Sequence, residues 1–203
     1  MVEKRPEQSP RRMIDLQVPE IRQRHITWCG LASVSMVLQY WGYNKTPKDL
    51  YSDFYGIYNE EDERADPVLK PTFESFAVRV RDHLVPQPPL APLTARVFNY
   101  ATFQKLQEKG HTEHDVLQNF IIEREIPCII RFPEHTVVAS GVDLAAKKYL
   151  INNPSNTPVK QWKLFEEIDE FWSATERTPG ATYEPRYSGD TRYLMLAIYP
   201  KKE

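Results

Sequence analysis

The segment Gln23-Arg24-His25-Ile26-Thr27-Trp28-Cys29-Gly30-Leu31-Ala32-Ser33 carries the residues best suited to chemistry. Cys29 stands at the first turn of a run with helical apolar spacing. A helix N-terminus holds unpaired N–H groups and about half a positive charge, and both favour the thiolate, the nucleophilic form of cysteine. Gly30 leaves room for a substrate carbonyl beside the sulfur, so the backbone N–H of Cys29 can face an oxyanion. Gln23 lies six positions before Cys29, and its side-chain N–H is a suitable second oxyanion donor. A lone cysteine before a helix is most often a packing residue. Gln, a five-residue gap, then Cys-Gly opening an apolar helix points instead to acyl-transfer chemistry.

Such a thiolate needs an imidazole base and a group that orients it. The histidines are His25, His83, His111, His114 and His135. His135 is the best placed, in Phe132-Pro133-Glu134-His135-Thr136-Val137-Val138, at the mouth of an apolar strand. After a turn at Asp143 the chain returns as Tyr149-Leu150-Ile151-Asn152-Asn153-Pro154. Two strands joined by a short turn pair antiparallel, which brings both asparagines back toward His135. An asparagine oxygen can accept from Nδ1–H of the ring and fix its tautomer. Neighbouring strand residues face opposite ways, so only Asn152 or Asn153 can serve.

Other groups offer less. His111 and His114 have no further Cys or His cluster to complete a zinc site, and neither a metal nor a cofactor is expected. The run Glu60-Glu61-Asp62-Glu63 reads as a solvated face, and Tyr51, Phe54, Tyr55 and Tyr58 as core. There is no phosphate-cradling glycine loop and no serine-nucleophile motif.

The elements that must position these residues follow from periodicity. Residues 1–13 are polar and proline-interrupted, a loose tail; residues 14–203 form a single domain. Leu31 to Trp41 is apolar nearly all round and reads as a buried helix, stopped by Gly42. Thr46-Pro47 starts a second helix, running to about Gly56. Residues 59–100 are an irregular, proline-rich excursion, in which Phe73, Phe76, Ala77, Val80 and Leu84 keep helical spacing and could border a substrate cleft. Thr112-Glu113-His114-Asp115 opens another helix, with Val116, Leu117, Phe120 and Ile121 as its buried face. Strand signals follow at Pro127 to Phe132, Thr136 to Val142, Lys147 to Asn152 and Arg192 to Tyr199, with a helix from Leu164 to Trp172 before the last. Helices first and strands later argue for an α+β fold.

Composition agrees. The chain has 203 residues, 41% of them apolar despite 17 prolines, enough to bury a core without disulfide or metal. Its two cysteines sit in unlike contexts, Cys29 in a polar run and Cys128 in the strand-like Ile126-Pro127-Cys128-Ile129-Ile130, so a disulfide between them is not expected. A net charge of -2 gives no reason to expect nucleic acid or an acidic membrane as partner. No stretch approaches the ~18 apolar residues of a membrane span, and the N-terminus lacks a signal-peptide core; a cytoplasmic location is the expectation.

The chain resembles the papain-like cysteine peptidases, and within them the bacteriocin-leader (double-glycine) peptidases and their stand-alone relatives. The resemblance rests on Gln23, on Cys29-Gly30 with Ala32 and Met36, on Tyr40-Trp41-Gly42, on Ile126 to Ile130 leading into His135, on Gly141-Val142-Asp143 and on Asn153-Pro154. It covers about residues 20–56 and 112–155. It implies a helical lobe and an antiparallel β lobe with the site in the cleft between them. It also implies roles: Cys29 as nucleophile, His135 as base, Gln23 in the oxyanion hole and Asn153, the residue before Pro154, as orienting residue. The leader-peptidase relatives usually carry Asp where this chain has Asn153. The Cys-Gly-Ser signature of cathepsin-type enzymes is absent, and no transporter membrane segment follows. The expected reaction is hydrolysis of a peptide or isopeptide bond in a peptide or protein substrate. The alternatives are acyl transfer to an amine (a transpeptidase-type transferase) on the same scaffold, or a non-catalytic peptide-binding domain.

Overall fold

The apolar run after Trp28 folds as helix α1, Cys29–Tyr40. It is buried nearly all round, with Leu31, Val34, Met36, Val37 and Leu38 in the core; each such side chain contributes about 1.5–3 kcal/mol on burial. Its two buried serines are paired, Ser33 Oγ donating to the Thr136 carbonyl at 3.2 Å and Ser35 Oγ to the Lys45 carbonyl. Gly42, at φ 84°, supplies the left-handed turn that ends this segment. The computed structural model describes residues 13–25, 27–55, 73–132, 135–173 and 193–201. The expected tail up to residue 12 and the acidic run Glu60 to Glu63 lie outside the described residues.

Helix α2, Pro47–Tyr55, begins with a reciprocal cap in which the Thr46 hydroxyl accepts from Asp49 N–H and the Asp49 carboxylate accepts from Thr46 N–H. Helix α3, Phe73–Arg79, continues into a π-helical turn, Val80–Leu84, and buries Phe76, Ala77, Val80 and Leu84. Helix α4 is Tyr100–Gln107. Helix α5, Glu113–Gln118, opens on a full capping box between Thr112 and Asp115 and also runs into a π-helical turn, Asn119–Glu123. Helix α6 is Phe165–Ser173.

The strands are β1 Met13–Asp15, β2 Leu93–Phe98, β3 Cys128–Phe132, β4 His135–Asp143, β5 Lys148–Asn152, β6 Lys160–Leu164 and β7 Met195–Pro200. They make one antiparallel sheet of order β2-β7-β3-β4-β5-β6, with β1 added along the far half of β4. The fold is α+β, helices packed on an antiparallel sheet, as the order of sequence signals implies. β1, β2, α4 and β6 were not expected from periodicity. β2 and β6 are the two ends of the sheet order, where among the described residues one edge faces no partner strand and alternation is weak. β6 carries two lysines in five residues and leaves Trp162 and Leu164 exposed.

Three contacts strap the N-terminal segment across the sheet. β1 pairs with β4 from Met13 opposite Asp143 to Asp15 opposite Gly141. A Cβ at Gly141 would collide with the Ile14 carbonyl, so only glycine lets the strap approach. Leu16 N–H then donates to the Ser140 carbonyl at 2.9 Å. Asn152, fully buried, donates from Nδ2 to the Val18 carbonyl at 3.3 Å and the Pro19 carbonyl at 3.4 Å, and accepts from Ser140 Oγ at 2.7 Å.

Candidate active site

The strap delivers Gln23, whose backbone N–H donates to the Pro154 carbonyl at 3.1 Å. From there the chain enters α1. Trp28 caps the helix without a side-chain bond, and no acidic residue stands in the first turn. The positive end of α1 is therefore not neutralised locally, and Cys29 is its first residue. Ser33, one turn further on the same face, ties α1 to the Thr136 carbonyl and so holds the start of the helix against β4.

β4 begins with His135, whose ring lies close enough to the Cys29 thiol for each to shift the other's titration. Nε2 of His135 lies 2.7 Å from Asn153 Oδ1. The asparagine thus meets Nε2 and not Nδ1, the nitrogen expected from sequence. Nδ1 is then the nitrogen left for the thiol. Asn153 is itself held by its backbone N–H, which donates to Val159 O at 2.8 Å, and by Ser155 N–H, which donates to Asn153 Oδ1 at 2.9 Å.

The electrostatics match this geometry. Burial pushes the Cys29 thiol up, but the hydrogen bond and charge of His135, helped by a hydrogen bond from Thr136 and the charge of Arg131, bring it below its ordinary value. Burial likewise works against a charged His135; its hydrogen bonds with Cys29 and Asn153 and the charge of Cys29 outweigh burial and the opposing Arg131, and the ring lies above its ordinary value. Both shifts favour a thiolate–imidazolium pair. Cys128 is the contrast: fully buried in β3, with no disulfide, its thiol is pushed far up by burial alone.

The sequence matches the Peptidase_C39-like family over residues 15–179. The chain belongs to the Peptidase_C39-like family. Among solved structures it is similar to a double glycine motif protease from an AMS/PCAT transporter, in complex with the leader peptide, at 19% identity and a TM-score of 0.51, over 92% of this chain and 94% of that one. No curated protein matches it significantly. The likeness extends the family resemblance from fragments to the whole fold, and the chain is a peptidase by family.

Sequence reasoning missed three residues of this candidate site. Thr136, buried beside His135, helps to lower the Cys29 thiol. Ser33 was legible, since a buried serine one turn beyond Cys29 in an apolar helix must find a partner. Ser155 lies in the turn after Asn153; its Oγ donates to Gln23 Oε1 at 3.0 Å and sits 3.4 Å from His135 Nε2. Gly30 also differs from expectation: a Cβ there would press on the Phe76 ring at 3.2 Å, so the space beside Gly30 is taken up by α3. Phe76 therefore abuts the start of α1.

An open cavity of about 300 Å³ adjoins His135. His135 and Asn153 form part of its wall, Phe132, Ile151, Ile168 and Phe171 its apolar surface, and Lys163 and Glu167 are among its polar lining. A larger hollow of about 370 Å³, between β1, Tyr40 and Glu125, includes none of the site residues. His114 is engaged elsewhere, with Nδ1 2.9 Å from Tyr149 Oη and Nε2 3.1 Å from Asp169, which joins α5, β5 and α6. Among the described residues no group of three His, Cys, Asp or Glu side chains is placed to hold a metal, and no helix is long and apolar enough to cross a membrane.

Proposed function

We propose that the protein is a cysteine peptidase in which Cys29 attacks the carbonyl of a peptide substrate. The observation that carries this reading is the meeting of His135, held by Asn153 at 2.7 Å from Nε2, with Cys29, the first residue of α1. The thiolate adds to the carbonyl carbon, and the negative charge moves to its oxygen. The backbone N–H of Cys29 and the side-chain amide of Gln23 stabilise that oxygen. The C–N bond breaks as His135 gives its Nδ1 proton to the leaving amine. His135 then takes a proton from water, whose hydroxide releases the acyl group and restores the thiolate.

Asn153 keeps the ring turned so that Nδ1 faces the sulfur. It accepts from Nε2–H in both neutral and charged states, so it orients without adding charge. The apolar cavity beside His135 and Asn153 suits an apolar side chain of the substrate close to the scissile bond.

A defined peptide library incubated with the protein and followed by mass spectrometry tests the proposal. Cleavage that disappears in Cys29→Ala and after iodoacetamide treatment is expected. Cleavage that survives in Cys29→Ala overturns the assignment of the nucleophile; products joined to an added amine instead of water would make the enzyme a transferase.

A further inference from the structure

Both amides of the proposed machinery face the same ambiguity. Gln23 stabilises an oxyanion only if its NH₂ end faces the substrate, and Asn153 orients His135 only if its oxygen faces the ring. A half-turn of either side chain presents the wrong end.

Ser155 touches both amides. Its backbone N–H donates to Asn153 Oδ1 at 2.9 Å, closing the turn Asn153-Pro154-Ser155 and holding the oxygen where Nε2 of His135 meets it at 2.7 Å. Its hydroxyl donates to Gln23 Oε1 at 3.0 Å. With its oxygen so engaged, the Gln23 amide has its NH₂ end turned the other way. The same hydroxyl oxygen lies 3.4 Å from His135 Nε2. As its proton is committed to Gln23, it presents a lone pair to Nε2–H. The sequence of donors runs from the imidazole N–H to the serine oxygen and from the serine O–H to the Gln23 oxygen, and it is consistent only with the proton on Nε2. Protonation of the ring strengthens such a series, since each bond polarises the next.

We infer that Ser155 is a positioning residue that sets the orientation of Gln23, and through the Asn153 turn that of His135, so that oxyanion donor and base are aligned by one three-residue turn. The inference rests on the proposed function. Ser155 is exposed, so loss of its hydroxyl removes little packing, and its effect is separable from folding.

The test is a double-mutant cycle on peptide cleavage with Ser155→Ala, Gln23→Ala and the double variant, together with Ser155→Thr and the rate of iodoacetamide alkylation at Cys29. Ser155→Ala is expected to lower kcat about ten-fold, the loss on removing one hydrogen bond that aims a donor, with KM and Cys29 alkylation unchanged. Ser155→Thr keeps the hydroxyl and restores most of kcat. In the Gln23→Ala background the serine change costs less than about two-fold, because the group it aims is gone. Equal fold-losses in both backgrounds, a rise in KM at constant kcat, or failure of threonine to rescue would overturn the inference and leave the proposed function standing. Absence of Cys29-dependent cleavage in the wild-type protein would overturn both.

Discussion

Asn152 and Asn153 are adjacent at the end of β5 and face opposite ways. Asn152 is wholly buried and grips the strap at Val18 and Pro19; Asn153 points into the cleft and meets Nε2 of His135 at 2.7 Å. One dipeptide therefore fixes both the path that delivers Gln23 and the ring that faces Cys29. The two roles are expected to separate on substitution.

Asn152→Ala leaves the Ser140 hydroxyl without its acceptor and two strap carbonyls without a donor. A loss of stability of about 1–3 kcal/mol is expected, read as a fall in denaturation midpoint. Normal stability with damaged kcat would place the catalytic asparagine here instead.

Asn153 variants are expected to move the basic limb of the pH–rate profile, not stability. The Asn153 hydrogen bond is one of the causes that raise His135. Asn153→Ala removes it, the imidazolium loses its proton at lower pH, and the limb moves down. Asn153→Asp adds a negative charge beside the ring, and the limb moves up. The measurement is kcat/KM against pH for the three proteins; an unmoved limb in both variants would detach Asn153 from the base.

The thiols should differ in reactivity. At neutral pH iodoacetamide is expected to label Cys29 and spare Cys128, because one is held down by His135 and the other pushed up by full burial. Peptide mapping after a short exposure of folded protein reads the outcome; labelling of Cys128 first would contradict it.

Cys29→Ala and His135→Ala should each remove at least about a thousand-fold of turnover with the fold retained, since members of one catalytic unit fail together. Gln23→Ala should cost less, roughly a hundred- to thousand-fold in kcat. Near-normal turnover in His135→Ala would send the search for a base to His25, whose ring centroid lies 4.5 Å from that of Trp28.

Much of this site is legible in the sequence because its parts are marked by local rules. Cys29 opens an apolar helix, His135 opens an apolar strand, and a short turn at Asp143 folds Asn153 back. The choice between the asparagines needed the family pattern, because the start of strand pairing decides which one faces inward. What the sequence conceals depends on long-range approach. The strap forms only because Gly141 admits the Ile14 carbonyl, and a lone glycine in a strand says nothing of its partner. The ring nitrogen that meets Asn153 depends on a rotation about the His135 side chain, which no spacing encodes. β2 and β6 escape notice for a simpler reason: at the ends of the sheet order, one side of each backbone has no strand beside it among the described residues, and burial no longer alternates.

The strap has a consequence for the life of the chain before it is complete. Val18 and Asn152, which bond in the folded protein, are separated by 134 positions. A growing polypeptide presents Cys29 to its surroundings early, yet it has no ring beside the sulfur until β4 is made and no seated Gln23 until β5 and the turn behind it have followed. During most of its synthesis the thiol is thus an ordinary one. On the proposed function, the order of the residues along the chain keeps the machinery unassembled until late in synthesis.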